Sequence, residues 1–301
     1  MKKHVAVLLG GLSSEREVSL RSGAAASKAL KKLGYKVSEI DVGRDLAEKL
    51  KKIKPDLVFN ALHGTYGEDG CVQGLLELLQ IPYTHSGVLA SAMAMDKPTA
   101  KVIFESVGIR CAPGKIMTKK EIISKNPFKP NYVIKPPADG SSVGVIVINK
   151  DNKLNPKDLK NDTYLVEKFI AGTELSVAVM DGKALGAIEI RPKKGFYDYK
   201  NKYTSGMTEY ILPAEVSKSI VKQAMDMSEK AHRVLGCRGI SRSDIRYNNT
   251  KGGDGKLYML ELNTHPGMTE LSLVPKIANY VGISFEDIID NLVKSACCDN
   301  V

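Results

Sequence analysis

Residues 240–263 read Ile-Ser-Arg-Ser-Asp-Ile-Arg-Tyr-Asn-Asn-Thr-Lys-Gly-Gly-Asp-Gly-Lys-Leu-Tyr-Met-Leu-Glu-Leu-Asn. Two β-prone runs, Ile240–Tyr247 and Lys256–Asn263, flank the turn-rich connector Asn248–Gly255, so the spacing predicts antiparallel neighbours. Alternation puts Arg242, Asp244 and Arg246 on one face of the first strand. It puts Leu257, Met259, Glu261 and Asn263 on one face of the second. Where the faces coincide, Asp244, Glu261 and Asn263 converge as three oxygen donors. Carboxylate and amide oxygens suit Mg²⁺, which takes one or two carboxylates and fills its shell with water and nucleotide phosphate. An exposed ribbon with incidental charges would show the same alternation, so spacing alone leaves both readings open.

Working back to the start of the chain, strand and helix signals alternate. They run as strand His4–Leu9, a helix from about Ser14, strand Tyr35–Asp41, helix Asp45–Lys52, strand Asp56–Leu62, helix Val72–Leu79 and strand Ile81–Thr84. That order predicts a parallel sheet covered by helices. Ser14 and Glu17 have capping-box spacing, which turns the chain from strand to helix at Gly10–Ser14. Ligands of such sheets sit beyond the carboxyl ends of the strands. Asp96-Lys97-Pro98 opens a further helix that Gly108 would stop, so a boundary is placed near residue 95.

The next stretch is rich in strands: Asn131–Lys135, Val145–Ile148, Tyr164–Lys168 and Leu175–Met180, the last leading into the hairpin signal Asp181-Gly182. Residues 96–182 are read as a small α+β module and 183–301 as a third module. In the third module, strand Ala184–Ile190 precedes a polar, tyrosine-bearing segment, Arg191–Thr208. A loop of that length inside a compact domain is usually a functional lid or disordered, and its three tyrosines favour a lid. Helix Ser217–Leu235, stopped by Gly236, and a closing helix Ser284–Ala296 complete the reading.

Two other segments suggest ligand chemistry. Asp139–Gly144 follows a strand ending in Lys135, and its glycines and serines offer backbone and hydroxyl donors to an anion. The spacing is not that of a Walker loop, and an ordinary hairpin fits it equally. Tyr164–Ile170 reads either as a buried strand leaving a sheet or as a hinge that offers backbone groups and Glu167 to a planar heterocycle. In the second case Glu174 lies within reach of a sugar hydroxyl.

The 301 residues carry Lys+Arg 44 against Asp+Glu 34, a formal charge of +10, and are 43% hydrophobic with five cysteines. The length allows two or three domains. The longest apolar run near the start, Val5–Leu9, is far short of the ~18 residues of a spanning helix, so no membrane segment is expected. The odd cysteine number, without metal-type spacing, favours a reducing cytoplasm. The basic residues lie in scattered pairs such as Lys31-Lys32 and Lys119-Lys120, without an aromatic-interleaved stripe, which favours a solvated surface over a nucleic-acid face.

Eight runs together resemble one family. They are Gly10–Ser19, His63-Gly-Thr-Tyr-Gly-Glu-Asp-Gly70, Tyr83-Thr-His-Ser-Gly87, Met95-Asp-Lys-Pro98, Lys135-Pro136 with Gly140-Ser-Ser-Val-Gly144, Tyr197-Asp-Tyr199 with Lys202-Tyr203, Arg242-Ser-Asp244, and Glu261-Leu-Asn-Thr-His-Pro-Gly-Met-Thr269. In order and content they resemble the D-alanine:D-alanine ligases of the ATP-grasp superfamily, over about 260 of the 301 residues. The resemblance implies an α/β and α+β fold of three modules, with an N-terminal parallel-sheet (preATP-grasp) domain.

It also implies roles. Glu167 would meet the adenine amino group, the backbone of Lys168 and Ile170 the ring edge, and Glu174 the ribose. Lys97, Lys135 and the Ser141-Ser142 loop would hold phosphates. Asp244, Glu261 and Asn263 would bind two Mg²⁺ ions, with Mn²⁺ as a substitute. Glu15 would receive the ammonium of the first D-alanine, with Ser141, Tyr203 and Lys202 in support and His63 nearby. Arg242, Gly267, Ser272 and the backbone of Leu273 would bind the second D-alanine and the developing oxyanion. Without the resemblance, Glu15 would read as an acid in the first turn of a helix. His265 falls at a position that varies in the family and is read as a neighbour of the site, not a base.

The expected activity is ATP-dependent formation of D-alanyl-D-alanine through an acyl phosphate, for peptidoglycan precursors, with ATP and D-alanine as small-molecule partners and a homodimer as the expected assembly. The rival readings are a ligase that takes D-lactate or another D-residue second, and a basic nucleic-acid-binding protein. Relatives of the first kind tend to replace the lid tyrosine, whereas Tyr203 is present here.

Overall fold

Val5, Val7 and Leu9 pack on one side of the first strand and Ala6 and Leu8 on the other, all of them buried. A strand covered on both faces belongs in the middle of a parallel sheet. In the computed structural model, which describes residues 2–124, 127–128, 131–140, 143–193 and 206–299, β1 (His4–Leu9) lies between β2 (Lys36–Asp41) and β3 (Leu57–Asn60), parallel to both. Helices α2 (Leu46–Ile53) and α3 (Cys71–Leu78) cover the Ala6/Leu8 side, and α1 (Arg16–Lys32) the other. The expected strand at 81–84 reduces to two isolated bridges of Tyr83, parallel with Val58 and antiparallel with Cys297. Pro82 has no N–H for a longer ladder.

The start of α1 also departs from the expectation. Glu15 is the N-cap residue and makes no side-chain cap bond. The Ser14–Glu17 capping box does not form, because Ser13 does the local work: its Oγ accepts from Glu15 N–H at 3.1 Å and donates to the His63 carbonyl at 2.6 Å. Glu15 is thereby turned toward the His63 loop.

Next come α4 (Val88–Met95), which sequence did not signal, and α5 (Lys97–Ser106). Asp96 caps α5 through Thr99 N–H. The central stretch forms a four-stranded antiparallel sheet in the order β4 (Gly114–Thr118), β7 (Thr163–Lys168), β5 (Tyr132–Lys135), β6 (Ile146–Ile148), with a short α6 (Lys119–Ser124).

A second antiparallel sheet has the order β10 (Thr208–Ile211), β9 (Lys183–Pro192), β8 (Thr173–Met180), β11 (Ile240–Tyr247), β12 (Leu257–Asn263). Residues 173–180, read with the central stretch in sequence, thus hydrogen-bond into this sheet. The β8–β9 turn is Asp181-Gly182 with φ +49° and +77°, the paired left-handed geometry of a tight hairpin. Helix α7 (Lys218–Val234) covers one face through Ala224 and Ala231. The other face meets α8 (Leu273–Tyr280) and α9 (Phe285–Lys294) in a core shared with α1 and the parallel sheet.

Between β11 and β12, Asp244 stands opposite Glu261 and Arg242 opposite Asn263, while Ile245 stands opposite Met259. The register shift leaves Leu260 as the extra residue of a β-bulge. It corrects the expected face. Leu257 and Met259 point with Ile245 into the α7 core, whereas Glu261 and Asn263 fall on the side of Asp244. Unbroken alternation would have put Glu261 in that core.

Helix α1 reaches the sheet through Gly23, where an added Cβ would lie 2.4 Å from Leu9 Cβ. Overpacking of this kind costs about 1–3 kcal/mol. Gly23→Val should therefore lower the melting temperature clearly, while Ala24→Val, on the exposed face of the same helix, should barely move it. Equal shifts in thermal melts would contradict this packing.

Candidate active site

A cleft of about 950 Å³ opens where α1, the His63 loop, β12 and the following 264–274 segment meet. Its lining includes Glu15, His63, Glu68, Arg242, Glu261, Asn263, Gly267, Ser272 and Leu273. A second pocket lies between the four-stranded sheet and the β11–β12 ribbon. It has apolar walls from Val133, Val147 and Phe169 and polar groups from Lys135, Glu167, Glu174, Asp244 and Arg246. Lys97 and Glu261 line both. The structure therefore brings the expected residues into two adjoining chambers. Ser141, Ser142, Lys202 and Tyr203, and with them most of the 191–208 segment expected as a lid, lie outside the described residues.

Strand β11 presents its charged face here. Arg242 donates from Nε and Nη2 to the two Asp244 oxygens at 2.9 and 2.8 Å, and Ser176 Oγ donates to Asp244 Oδ1 at 2.7 Å. Lys97 Nζ is 3.5 Å from Glu261 and donates to the Asp139 carbonyl at 2.6 Å. Asn263 Oδ1 accepts from His265 N–H at 2.7 Å, which fixes its amide and leaves the oxygen a second lone pair. Among the described residues no three His, Cys, Asp or Glu side chains converge as a metal cage. The oxygen set here is two carboxylates and an amide on adjacent strands, the kind that suits Mg²⁺ completed by phosphate and water.

Glu167 is buried and held between two ammonium groups. Lys101 reaches Oε1 and Lys135 reaches Oε2, each at 2.8 Å. Burial would raise its pKa, but Lys135 and Lys101 outweigh that and hold it below the ordinary carboxylate value. For Lys135, burial works against the charge, and Glu167 reverses the balance, so its pKa rises. Sequence reasoning missed Lys101. The signal was available: Lys97 and Lys101 are four apart on α5 and share a face.

Glu68 was also missed as a site residue. It is buried, Oε1 accepts from Gly64 N–H at 2.9 Å, and Oε2 has no hydrogen-bond partner among the described residues. Burial first, and Glu15 second, push its pKa well above the carboxylate range. The Gly140 backbone comes so close that an added Cβ would lie 2.6 Å from Glu15 Oε2 and 3.3 Å from Glu68 Oε1.

Three buried histidines sit behind this wall. His63 Nε2 is 3.0 Å from Ser22 Oγ, and the His85 and His265 rings stack with centroids 4.5 Å apart. Asn60 accepts from Leu62 N–H through Oδ1, which leaves Nδ2 to donate to His265 Nε2 at 3.1 Å. A neutral His265 then carries its proton on Nδ1, toward Thr264. His265 thus packs behind the wall of the cleft.

Burial pushes the pKa of His63 down to about 4 and that of His85 to about 3, and His265 well below 6.5. These rings stay neutral in the folded chain and protonate on unfolding once the pH is under 6.5. The unfolded state then binds more protons, so stability falls with falling pH, by about 1.4 kcal/mol per pH unit for each such histidine. The contribution is intact above pH 6.5 and is lost as the pH descends toward the folded values near 4 and 3. Glu68, with its raised pKa, contributes with the opposite sign over this range and offsets part of the slope. Urea melts at about pH 7, 6 and 5 should still show a net fall in stability, and His85→Asn should flatten it further, whereas an unchanged midpoint would contradict the neutral cluster.

Comparison with known proteins places this geometry in a family. The family model described as "D-ala D-ala ligase C-terminus" matches residues 103–294, and "D-ala D-ala ligase N-terminus" matches 42–86. D-alanine--D-alanine ligases from Methylocella silvestris and Sinorhizobium fredii are 50% and 49% identical. They cover 99% and 98% of this chain and 100% and 98% of their own. The crystal structure of the Bacillus anthracis D-alanine--D-alanine ligase complexed with ATP is similar with a TM-score of 0.80 at 30% identity, covering 97% of each chain. The VanG D-Ala:D-Ser ligase of Enterococcus faecalis has the same TM-score, 0.80, at 26% identity, covering 98% of this chain and 99% of its own. With matches of this extent over both chambers, the chain belongs to the D-alanine--D-alanine ligase family of ATP-grasp enzymes.

Proposed function

We propose that this chain joins two D-alanines in an ATP-dependent, ADP-forming reaction that supplies D-alanyl-D-alanine for peptidoglycan precursors. The observation that carries the reading is the shared wall. Lys97 and Glu261 face both the pocket suited to a nucleoside and the cleft suited to amino acids, so a phosphoryl group and a carboxylate can meet there.

A carboxylate does not condense with an amine unaided. In the proposed reaction, a carboxylate oxygen of the first D-alanine attacks the γ-phosphorus, the bond to ADP breaks, and an acyl phosphate forms. The free amine of the second D-alanine then attacks the acyl carbon, and phosphate leaves from the tetrahedral intermediate. Lys97, Lys135 and the Ser141-Ser142 loop are placed on the phosphates, so that positioning and charge neutralisation supply the catalysis. Glu15 takes the ammonium of the first D-alanine, and the family resemblance assigns Tyr203, Lys202, Ser141 and His63 supporting roles for the same substrate. Arg242 and Gly267, with Ser272 and Leu273 at the start of α8, hold the second D-alanine and the negative charge that develops on the oxyanion. Asp244, Glu261 and Asn263 would hold two Mg²⁺ ions, replaceable by Mn²⁺, whose chemistry is to neutralise phosphate charge.

The division into 1–95, 96–182 and 183–301 belongs to the same proposal, with 191–208 as the lid that keeps water from the acyl phosphate. So does a homodimer. Leu78 on α3 and Leu89 on α4 are 85% and 67% exposed, apolar side chains of the kind a second copy would cover. Among the described residues no helix is long and apolar enough to cross a membrane. All five cysteines are unpaired, which supports a cytoplasmic setting.

Phosphate release from Mg-ATP should require D-alanine, should not occur with L-alanine, and should yield the dipeptide in preference to the D-alanyl-D-lactate ester when both acceptors compete. Arg242→Met should lower kcat by about 100–1,000-fold, the usual cost of losing a group that stabilises an oxyanion. Ester product in excess would move the assignment to a ligase that takes D-lactate second, and no ATP turnover at all would remove it.

A further inference from the structure

Strand β11 carries a third charged residue that the proposed reaction does not use. Arg246 follows Asp244 on the same face and stands directly opposite Glu174 of β8. Its Nη1 donates to Glu174 Oε2 at 2.8 Å, and its Nε donates to the Ile170 carbonyl at 3.0 Å. The guanidinium carbon lies 5.6 Å from the Phe169 ring centroid. One planar cation therefore spans the carboxylate and the hinge carbonyl of the second pocket. A lysine, with a single nitrogen, cannot reproduce that fork.

The hinge is seated on the end of the same strand. Gly172 has φ +109°, and an added Cβ there would lie 2.1 Å from the Tyr247 carbonyl oxygen. Thr173 N–H donates to Asn249 Oδ1 at 3.0 Å. The segment 169–174 is thus docked against β11, with Arg246 at the centre of the contact.

We propose that Arg246 is a positioning residue for the nucleoside. It holds Glu174 where a carboxylate can accept from the ribose hydroxyls, and it ties the Ile170 hinge to the strand that bears Asp244 and Arg242. This rests on the reading of the second pocket as the ATP site. Its consequence is sugar selectivity. A carboxylate fixed in one rotamer rewards the hydroxyl it meets, whereas a loose one rewards it less, so discrimination between ATP and its deoxy analogues should depend on Arg246 as well as on Glu174.

The test is steady-state kinetics with ATP, 2′-deoxyATP and 3′-deoxyATP on the wild type, Arg246→Met, Arg246→Lys, Glu174→Gln and the Arg246→Met/Glu174→Gln pair. Arg246→Met should raise the KM for ATP about tenfold, the scale of one charge-assisted hydrogen bond, with a smaller effect on kcat and none on the KM for D-alanine. Its preference for ATP over the deoxy analogues should fall toward that of Glu174→Gln, and the double variant should be no worse than the more impaired single one. Arg246→Lys should recover part of the preference, and it carries the test if Arg246→Met does not fold. The proposal is overturned if Glu174→Gln loses the sugar preference while the Arg246 variants keep it, or if they shift the KM for D-alanine as much as that for ATP. If Glu174→Gln itself keeps the preference, the nucleoside reading of the pocket fails first, and the proposal with it.

Discussion

The pairing of β11 with β12 is the constraint on which the rest of the site depends. Strands supply side chains at fixed intervals, so whichever residues a register sets opposite one another are held at near-contact separation without further machinery. Here the register sets Asp244 against Glu261 and Arg242 against Asn263, and the extra residue, Leu260, lets the ribbon serve two incompatible demands. Below the bulge, Met259 and Leu257 complete the core under α7. Above it, Glu261 faces the clefts. Two carboxylates on adjacent strands repel unless each has a counter-charge, and the structure supplies these from different elements: Arg242 from the strand itself, and Lys97 from the first turn of α5.

The same arrangement recurs through both chambers. Glu167 is held by Lys101 and Lys135, and Glu174 by Arg246. Buried ion pairs are a poor source of stability, since well-packed apolar residues often do as well or better. What such pairs provide is fixed orientation in a low-dielectric cleft, where a ligand's charge is felt strongly and little reorganisation remains to be done. The neutral histidines behind Glu15 fit the same logic. His63, His85 and His265 carry no charge that would compete with Arg242 for an anion, and the hydroxyls and amide that hold them keep the wall rigid.

Much of this was legible in the sequence, because it depends on local periodicity. The two-residue repeat put Glu261 and Asn263 on one face of their strand and singled out Asp244 on its neighbour, although only the bulge brings those faces together. The capping residue Asp96 with Pro98 located the start of α5. What was not legible depends on tertiary context. Nothing in Tyr-Met-Leu-Glu marks Leu260 as the bulge, so the face of Met259 was misassigned. Ser13 displaced the expected capping box because the His63 carbonyl, fifty residues away, needed a donor. Helix α4, apolar on almost every position, lacks the amphipathic stripe by which surface helices are read. Lys101 was recoverable from its spacing to Lys97, but its partner Glu167 lies on β7, 66 residues further along the chain.

The charge of +10 can now be apportioned. The basic groups at the junction of the clefts, Lys97, Lys101, Lys135, Arg242 and Arg246, are opposed there by Glu15, Glu167, Glu174, Asp244 and Glu261. The excess is therefore carried elsewhere, by exposed residues such as Lys3, Lys51, Lys52 and Lys120. Scattered exposed charges of this kind are screened at physiological salt. A nucleic-acid face would instead need unopposed cations aligned along a groove. The clefts have the opposite character: among the described residues, their charged side chains nearly balance before any ligand enters. On the proposed reading an anionic nucleotide would be received by exchange, with phosphate taking over lysines that carboxylates held, and the positions of those carboxylates would decide which nucleotide fits.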